Sequence, residues 1–147
     1  MYKAGDWILS GLMGCFVGTV YFLIEVTYKT VIGHPEGISW TMLLLALVMG
    51  IIMERMGAEL PWRFPIWAQA ILCGGAITAA EFITGCIVNL WLGWDVWNYS
   101  DLPGNFLGQI CPQFAALWCI LSGPCIVGLD WMRYAVRGGE RPHYYWR

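Results

Sequence analysis

A single carboxyl group stands at position 81 of this 147-residue chain, near the middle of an apolar run, residues 67–93, with no other acidic or basic side chain. A carboxylate at the centre of a bilayer costs at least ~2.5–3.5 kcal/mol, so such a group normally faces protein or water and marks a substrate, ion or proton site. Other polar side chains fall where they could join it. Asn89 lies further along the same run, about 12 Å away at 1.5 Å per helical residue. Glu25 lies near the end of an earlier apolar run, and Gln109 and Gln113 near the start of a later one. Carboxylates and amides converging in this way would bind a cation, a proton or a polar solute, with Glu81 as the floor of a pocket. The competing reading is that Glu81 hydrogen-bonds Gln113, Thr78 or a carbonyl as interhelical glue, worth about 1 kcal/mol. Glu25 likewise has a surface alternative, an i,i+4 ion pair with Lys29.

A second cluster follows the first. Trp94-Asp95-Val96-Trp97-Asn98-Tyr99-Ser100 is dense in residues used for recognition, Asp95, Trp97, Asn98 and Tyr99 above all, and Asp95, Asn98, Tyr99, Ser100 and Asp101 would rim the pocket. The plainer alternatives are that the tryptophans anchor at a membrane interface, that Asp95 and Asp101 set turns, and that Asn105 caps the start of the next helix.

The elements that must position these groups are membrane helices. The chain is 59% hydrophobic with ten Trp, and only 12% charged, against about 25% in soluble domains. Mean hydropathy is +0.58. Residues 7–28, 67–93 and 106–132 are each long enough to span a bilayer, which needs about 20 residues. The run over 38–53 is about a turn short and reaches spanning length by extending to 57. The expected fold is therefore all-α: a polytopic bundle of four transmembrane helices within residues 1–136, followed by a tail, 137–147, that leaves the membrane and becomes disordered. The loop between the first two spans, with His34-Pro35-Glu36-Gly37, reads as a turn. Stripes of small and polar residues mark the inward faces: Gly11, Gly14, Gly18, Tyr21, Glu25 and Tyr28; Gly74, Thr78, Glu81, Gly85 and Asn89; Gln109, Gln113, Ala116, Ile120 and Gly123.

Of the eight Lys and Arg residues, every one but Lys29 falls on the side that carries both termini and the 54–64 loop. That bias predicts both termini inside, in a bacterial inner membrane. The aromatic pattern agrees, with Trp7, Trp62, Trp67 and Trp131 on that side and Trp40, Trp91, Trp94 and Trp97 on the other. The six cysteines lie within the expected spans with no Cys-x-x-Cys pair, which argues against a disulfide framework or zinc site. No phosphate-binding Gly-x-x-x-x-Gly-Lys-[Ser/Thr] loop and no His-Glu-x-x-His pattern occurs, so neither a nucleotide-driven motor nor a metallohydrolase is expected. The chain is read as non-enzymatic, without a cofactor, and as a partner of lipid, not of nucleic acid.

Residues 69–134 carry a resemblance: Glu81-Phe82, Gly85, Asn89, Trp97-Asn98-Tyr99-Ser100, Pro103, Asn105 and Gly108-Gln109-Ile110-Cys111. In these the chain resembles the bacterial membrane family catalogued as putative ABC-transporter type IV. Members often carry Asp at the place of Asn98, and an amide there supplies neither acid nor base. The resemblance implies a permease-like role and a separate ATPase, docked on the 54–64 loop. Four spans are few for a complete solute pathway, so a homo-oligomer or a partner membrane subunit is also expected. The alternatives are an accessory or assembly scaffold whose polar residues only fasten helices, and a small intramembrane enzyme or cofactor carrier using residues 97–100 at the outer surface.

Overall fold

The computed structural model describes residues 4–33 and 38–146, with side chains from Trp7 onward. Lys3, Arg147 and the turn expected at His34-Pro35-Glu36-Gly37 lie outside the described residues. Four long helices, α1 (Ala4–Val31), α2 (Trp40–Glu59), α3 (Ile66–Gly85) and α4 (Pro112–Arg137), carry the fold, and α3 continues into a π-helical turn, Cys86–Trp91. Each is long and apolar enough to cross a membrane. No strand occurs among the described residues; Phe106 and Ile110 form an isolated bridge.

Local chemistry sets the boundaries. Ser39 caps α2, its hydroxyl accepting from the Thr41 amide at 3.3 Å, which satisfies an amide the first turn leaves without a partner. The helix then runs on to Glu59 and closes with the Leu60 amide on Met56 O, just before Pro61. The connection to α3 is therefore 60–65, shorter than the expected 54–64 loop, because residues 54–59 are helical. Helix α4 begins with Pro112 in its first turn, where a missing amide proton costs nothing. The expected start at 106 is too early. Residues 106–111 are apolar enough to read as helix, but Leu107 and Gly108 stand at φ 53° and 68°, a left-handed backbone that no α-helix contains.

The helices pack chiefly as two hairpins, α1 on α2 and α3 on α4. Glycine lets the first pair close: a Cβ at Gly14 would lie 2.5 Å from Ile51 Cα, and one at Gly18 or Gly50 would meet the facing backbone at Ala46 or Gly14. In the second pair a Cβ at Gly74 would lie 2.5 Å from Cys119 Sγ. Close backbone approach through small residues is how helices gain van der Waals contact where no water drives them together. Between the hairpins sit Met13, Met53, Ile66, Cys73, Ile126 and Leu129, all buried.

The start of α1, the end of α2, the start of α3 and the end of α4 meet at one end, here the terminal end. Ser10 accepts from Arg137 at 3.3 Å there, and the Arg55 guanidinium lies 3.7 Å from the Trp7 ring centroid. The segment after α4 does not leave this end, contrary to the expected disorder. It turns at Gly138 and Gly139, both at positive φ, and runs back so that Tyr145 O accepts from the Ile66 amide at 3.1 Å. Trp62 packs on His143 and Tyr144 at 5.0 and 6.1 Å. At the opposite, loop end, residues 92–111 connect α3 to α4.

Candidate functional site

Glu81 faces inward from α3 and is 7% exposed. Both its oxygens are engaged: Tyr99 Oη donates to Oε1 and Trp118 Nε1 donates to Oε2, each at 2.9 Å. One donor comes from the loop and the other from α4, so a single carboxyl group holds three parts of the chain together. Aromatic rings surround it in sequence. Tyr99 stacks on Phe114 at 4.7 Å, Phe114 lies 6.2 Å from Trp118, and Tyr21 of α1 meets the Trp118 edge at 5.7 Å. Tyr21 is within electrostatic reach of both Glu25 and Glu81. Glu25 pairs with Lys29 at 3.1 Å, and its second oxygen is buried without a hydrogen-bond partner. The structure thus brings Glu25 to the Glu81 neighbourhood through Tyr21, while also making the i,i+4 pair.

Tyr99 reaches so deep because its loop is fastened to the helix end by side-chain amides. Asn89 sits in the π-turn, whose wider winding re-aims side chains relative to α3. Its Nδ2 donates to Trp97 O at 3.0 Å and to Gln109 Oε1 at 2.8 Å, while its Oδ1 accepts from the Val96 amide at 2.7 Å. The Trp97 indole donates to Gln109 O at 3.1 Å, and Gln109 Nε2 donates to Leu107 O at 3.0 Å. Gly85 makes room for this layer, since a Cβ there would lie 2.5 Å from Gln109 Oε1. Further out, Asn98 Oδ1 accepts from the Ser100 amide and hydroxyl, and Asn105 bonds Ser100 O, Leu102 O and the Gly108 amide. Burial, then the adjacent Glu81, pushes the Tyr99 hydroxyl well above the ordinary tyrosine range, so it remains a proton donor at neutral pH.

Several expected placements change. Trp97 is 8% exposed and docked against Val88 and Val96, not a belt anchor; its indole N–H finds a carbonyl inside the loop. Gln109 is buried in the loop and not on α4. Gln113 is exposed, and its amide donates to Pro103 O at 3.0 Å instead of meeting Glu81. Thr78 donates to Gly74 O at 2.9 Å in its own helix. Asn105 staples the loop, and Cys111 occupies the α4 N-cap position in its place. Asp95 is exposed at φ 48°, a turn position, and Asn98 is exposed as well.

Trp118, Phe114 and Tyr21 were not among the sequence candidates. The available signal was weak: an indole N–H inside an apolar run needs an acceptor, and Tyr21 shares the Glu25 stripe. Also missed was an ionic group at the terminal end. Arg133 donates to Glu54 Oε1 and to Glu54 O, each at 3.0 Å, and to Asp130 Oδ1 at 2.8 Å. Tyr144 Oη donates to Asp130 Oδ2 at 3.3 Å, and burial together with Asp130 holds that hydroxyl above its usual range. The clue was Asp130 and Arg133 at i,i+3 near the end of an apolar run.

Glu81 lies under the loop, its oxygens covered by Tyr99 and Trp118. A groove of about 450 Å³ lies elsewhere, between Ile71, Phe82, Phe106 and Cys119, and its lining is almost wholly apolar.

The chain belongs to the family described as "Putative ABC-transporter type IV", which matches residues 7–136. The match takes in all four helices, so the likeness read from residues 69–134 extends into the first hairpin. No curated protein and no solved structure matches the chain. The family and four apolar helices of spanning length fit a multi-pass membrane protein.

Proposed function

We propose that this family member is a non-enzymatic, membrane-spanning part of a transport system, with Glu81 as the central binding residue and residues 92–111 as the closure above it. The observation that carries the reading is the double engagement of Glu81 by Tyr99 of the loop and Trp118 of α4. A solute that brings its own donors to Glu81 competes with Tyr99, and losing that bond frees the loop to lift. The polar pocket, open to the outer side with Glu81 at its floor, exists in the lifted state. Asn89 and Gln109 then act as the hinge-side staples, and Glu25 offers an oxygen that has no other partner. Gln113, bonded to Pro103, steadies the far side of the loop.

The excess of Lys and Arg at the terminal end supports an orientation with both termini inside, in a bacterial inner membrane. A homo-oligomer or partner subunit completes the pathway, and the family name supports a separate ATPase. Its docking surface is the 60–65 connection with the last turns of α2, at the inner face. A second reading, an accessory scaffold, is favoured by the complete hydrogen bonding of Glu81, which glue alone would also require.

Uptake of a panel of labelled solutes by cells producing Glu81→Gln or wild type separates the two. Glu81→Gln keeps the shape and abolishes uptake of any solute the wild type carries. Unchanged uptake, with loss of the assembled complex on gel filtration, overturns the transport reading.

A further inference from the structure

We infer that the cavity at the terminal end is a binding site for a primary ammonium group. The cavity, of about 190 Å³, lies between the last turn of α2, at Gly57 and Ala58, and the end of α4, at Tyr134 and Gly138. Each helix C-terminus contributes roughly half a negative charge to the space between them. Asp130 and Glu140 add carboxylates to the lining, and Trp62 and Tyr134 add aromatic faces, which attract cations.

Four cations at this end have partners. Arg133, the one cation among the described lining residues, gives three of its donors to Glu54 and Asp130. Arg137 reaches Ser10, Arg55 pairs with Glu59, and Arg141 lies over Trp131. Glu54 is wholly buried, and its second carboxylate oxygen has no hydrogen-bond partner. Arg133 pairs with Glu54 and Asp130, while Glu140 lies 3.8 Å from His143 Nδ1. The described lining therefore sets two carboxylates, Asp130 and Glu140, against one guanidinium, an excess of negative charge that a small cation offsets.

Size selects the ligand. Sites for drug-sized molecules run to ~300–1,000 Å³, and this cavity falls below that range while holding an aminoethyl group with ease. It lies where the apolar spans end, with Trp62 in its lining, a residue type that sits at the level of lipid headgroups. A phosphatidylethanolamine headgroup and a free alkylamine offer the same ammonium, whereas the trimethylated head of phosphatidylcholine has no N–H to donate to Asp130 or Glu140.

The test uses the full chain in detergent, with phosphatidylethanolamine and phosphatidylcholine of matched acyl chains, read by native mass spectrometry. Free ethanolamine is titrated in parallel against thermal unfolding. Retention of phosphatidylethanolamine over phosphatidylcholine by about tenfold is the expected result. Glu140 is exposed, so Glu140→Gln leaves the fold intact and should cut that preference by about threefold, the scale of one partly screened charge. Asp130→Asn, where it folds, should abolish it. Stabilisation by ethanolamine without a lipid preference assigns the site to soluble amines, and a lipid preference without ethanolamine binding assigns it to the headgroup. Equal retention of the two lipids with no ethanolamine effect, or a preference unmoved by Glu140→Gln, overturns the proposal.

Discussion

Two neutral donors on one buried carboxyl group give Glu81 a definite partner set: a tyrosine from a loop and a tryptophan from a helix. The tyrosine sits in a loop held by side-chain amides, the Trp97 indole and a few backbone bonds, whereas Trp118 is fixed within α4 near its start. Tyr99 makes the arrangement readable in solution. Its hydroxyl titrates above the ordinary range because burial and Glu81 both disfavour the phenolate. A group whose folded pKa is raised contributes its stability in full below the unfolded value, about 10 for tyrosine, and loses it progressively as pH rises above that value. Ultraviolet titration of tyrosinate should therefore coincide for wild type and Tyr99→Phe up to about pH 10. A variant that lacks a tyrosine titrating with the exposed ones would show that the Tyr99 hydroxyl is not buried against Glu81.

The elements explain why these residues meet. Helix α1 closes on α2 through glycines whose Cβ positions are already occupied by facing backbone, most tightly at Gly50 against Gly14. Adding a methyl group there forces the helices apart. Gly50→Ala should destabilise by roughly 1–3 kcal/mol, the usual cost of overpacking, in reversible denaturant titration from detergent. Gly75, with nothing within 4 Å of its Cβ position, is the control: Gly75→Ala should be neutral, or stabilising by up to ~1 kcal/mol from helix propensity. Equal effects at the two positions would contradict the packing. The small-residue stripe of α1 was legible in the sequence for this reason, since spacing on a helix is local geometry. The start of α4 was not, because the apolar content of residues 106–111 conceals two left-handed residues that only the closed loop requires.

At the scale of the whole molecule the two ends differ in kind. The terminal end gathers the cationic residues, a buried ion group and a folded-back tail; the loop end carries an amide-stapled cap above Glu81. If the terminal end faces inward, a membrane-impermeant thiol reagent added to intact cells should label Asp101→Cys and leave Arg141→Cys unlabelled, in chains whose native cysteines are replaced. The reverse pattern would invert the orientation and move the proposed pocket and ammonium site to opposite faces.

Composition by itself determined that four apolar helices are available to span a membrane, where the charges concentrate, and that Glu81 is the carboxyl group to question. These follow from the bilayer's demand for unbroken helices and few charges, constraints that act residue by residue along the chain. Only the tertiary structure decided what Glu81 touches. Its partners are 18 and 37 positions away, and the Glu54–Arg133 bond spans 79. Such pairs depend on how the loop folds back and how two hairpins lean together, which no local periodicity records. The same reason hid the burial of Trp97 and Gln109, whose types suit an interface anchor and a helix stripe equally well until the loop is closed.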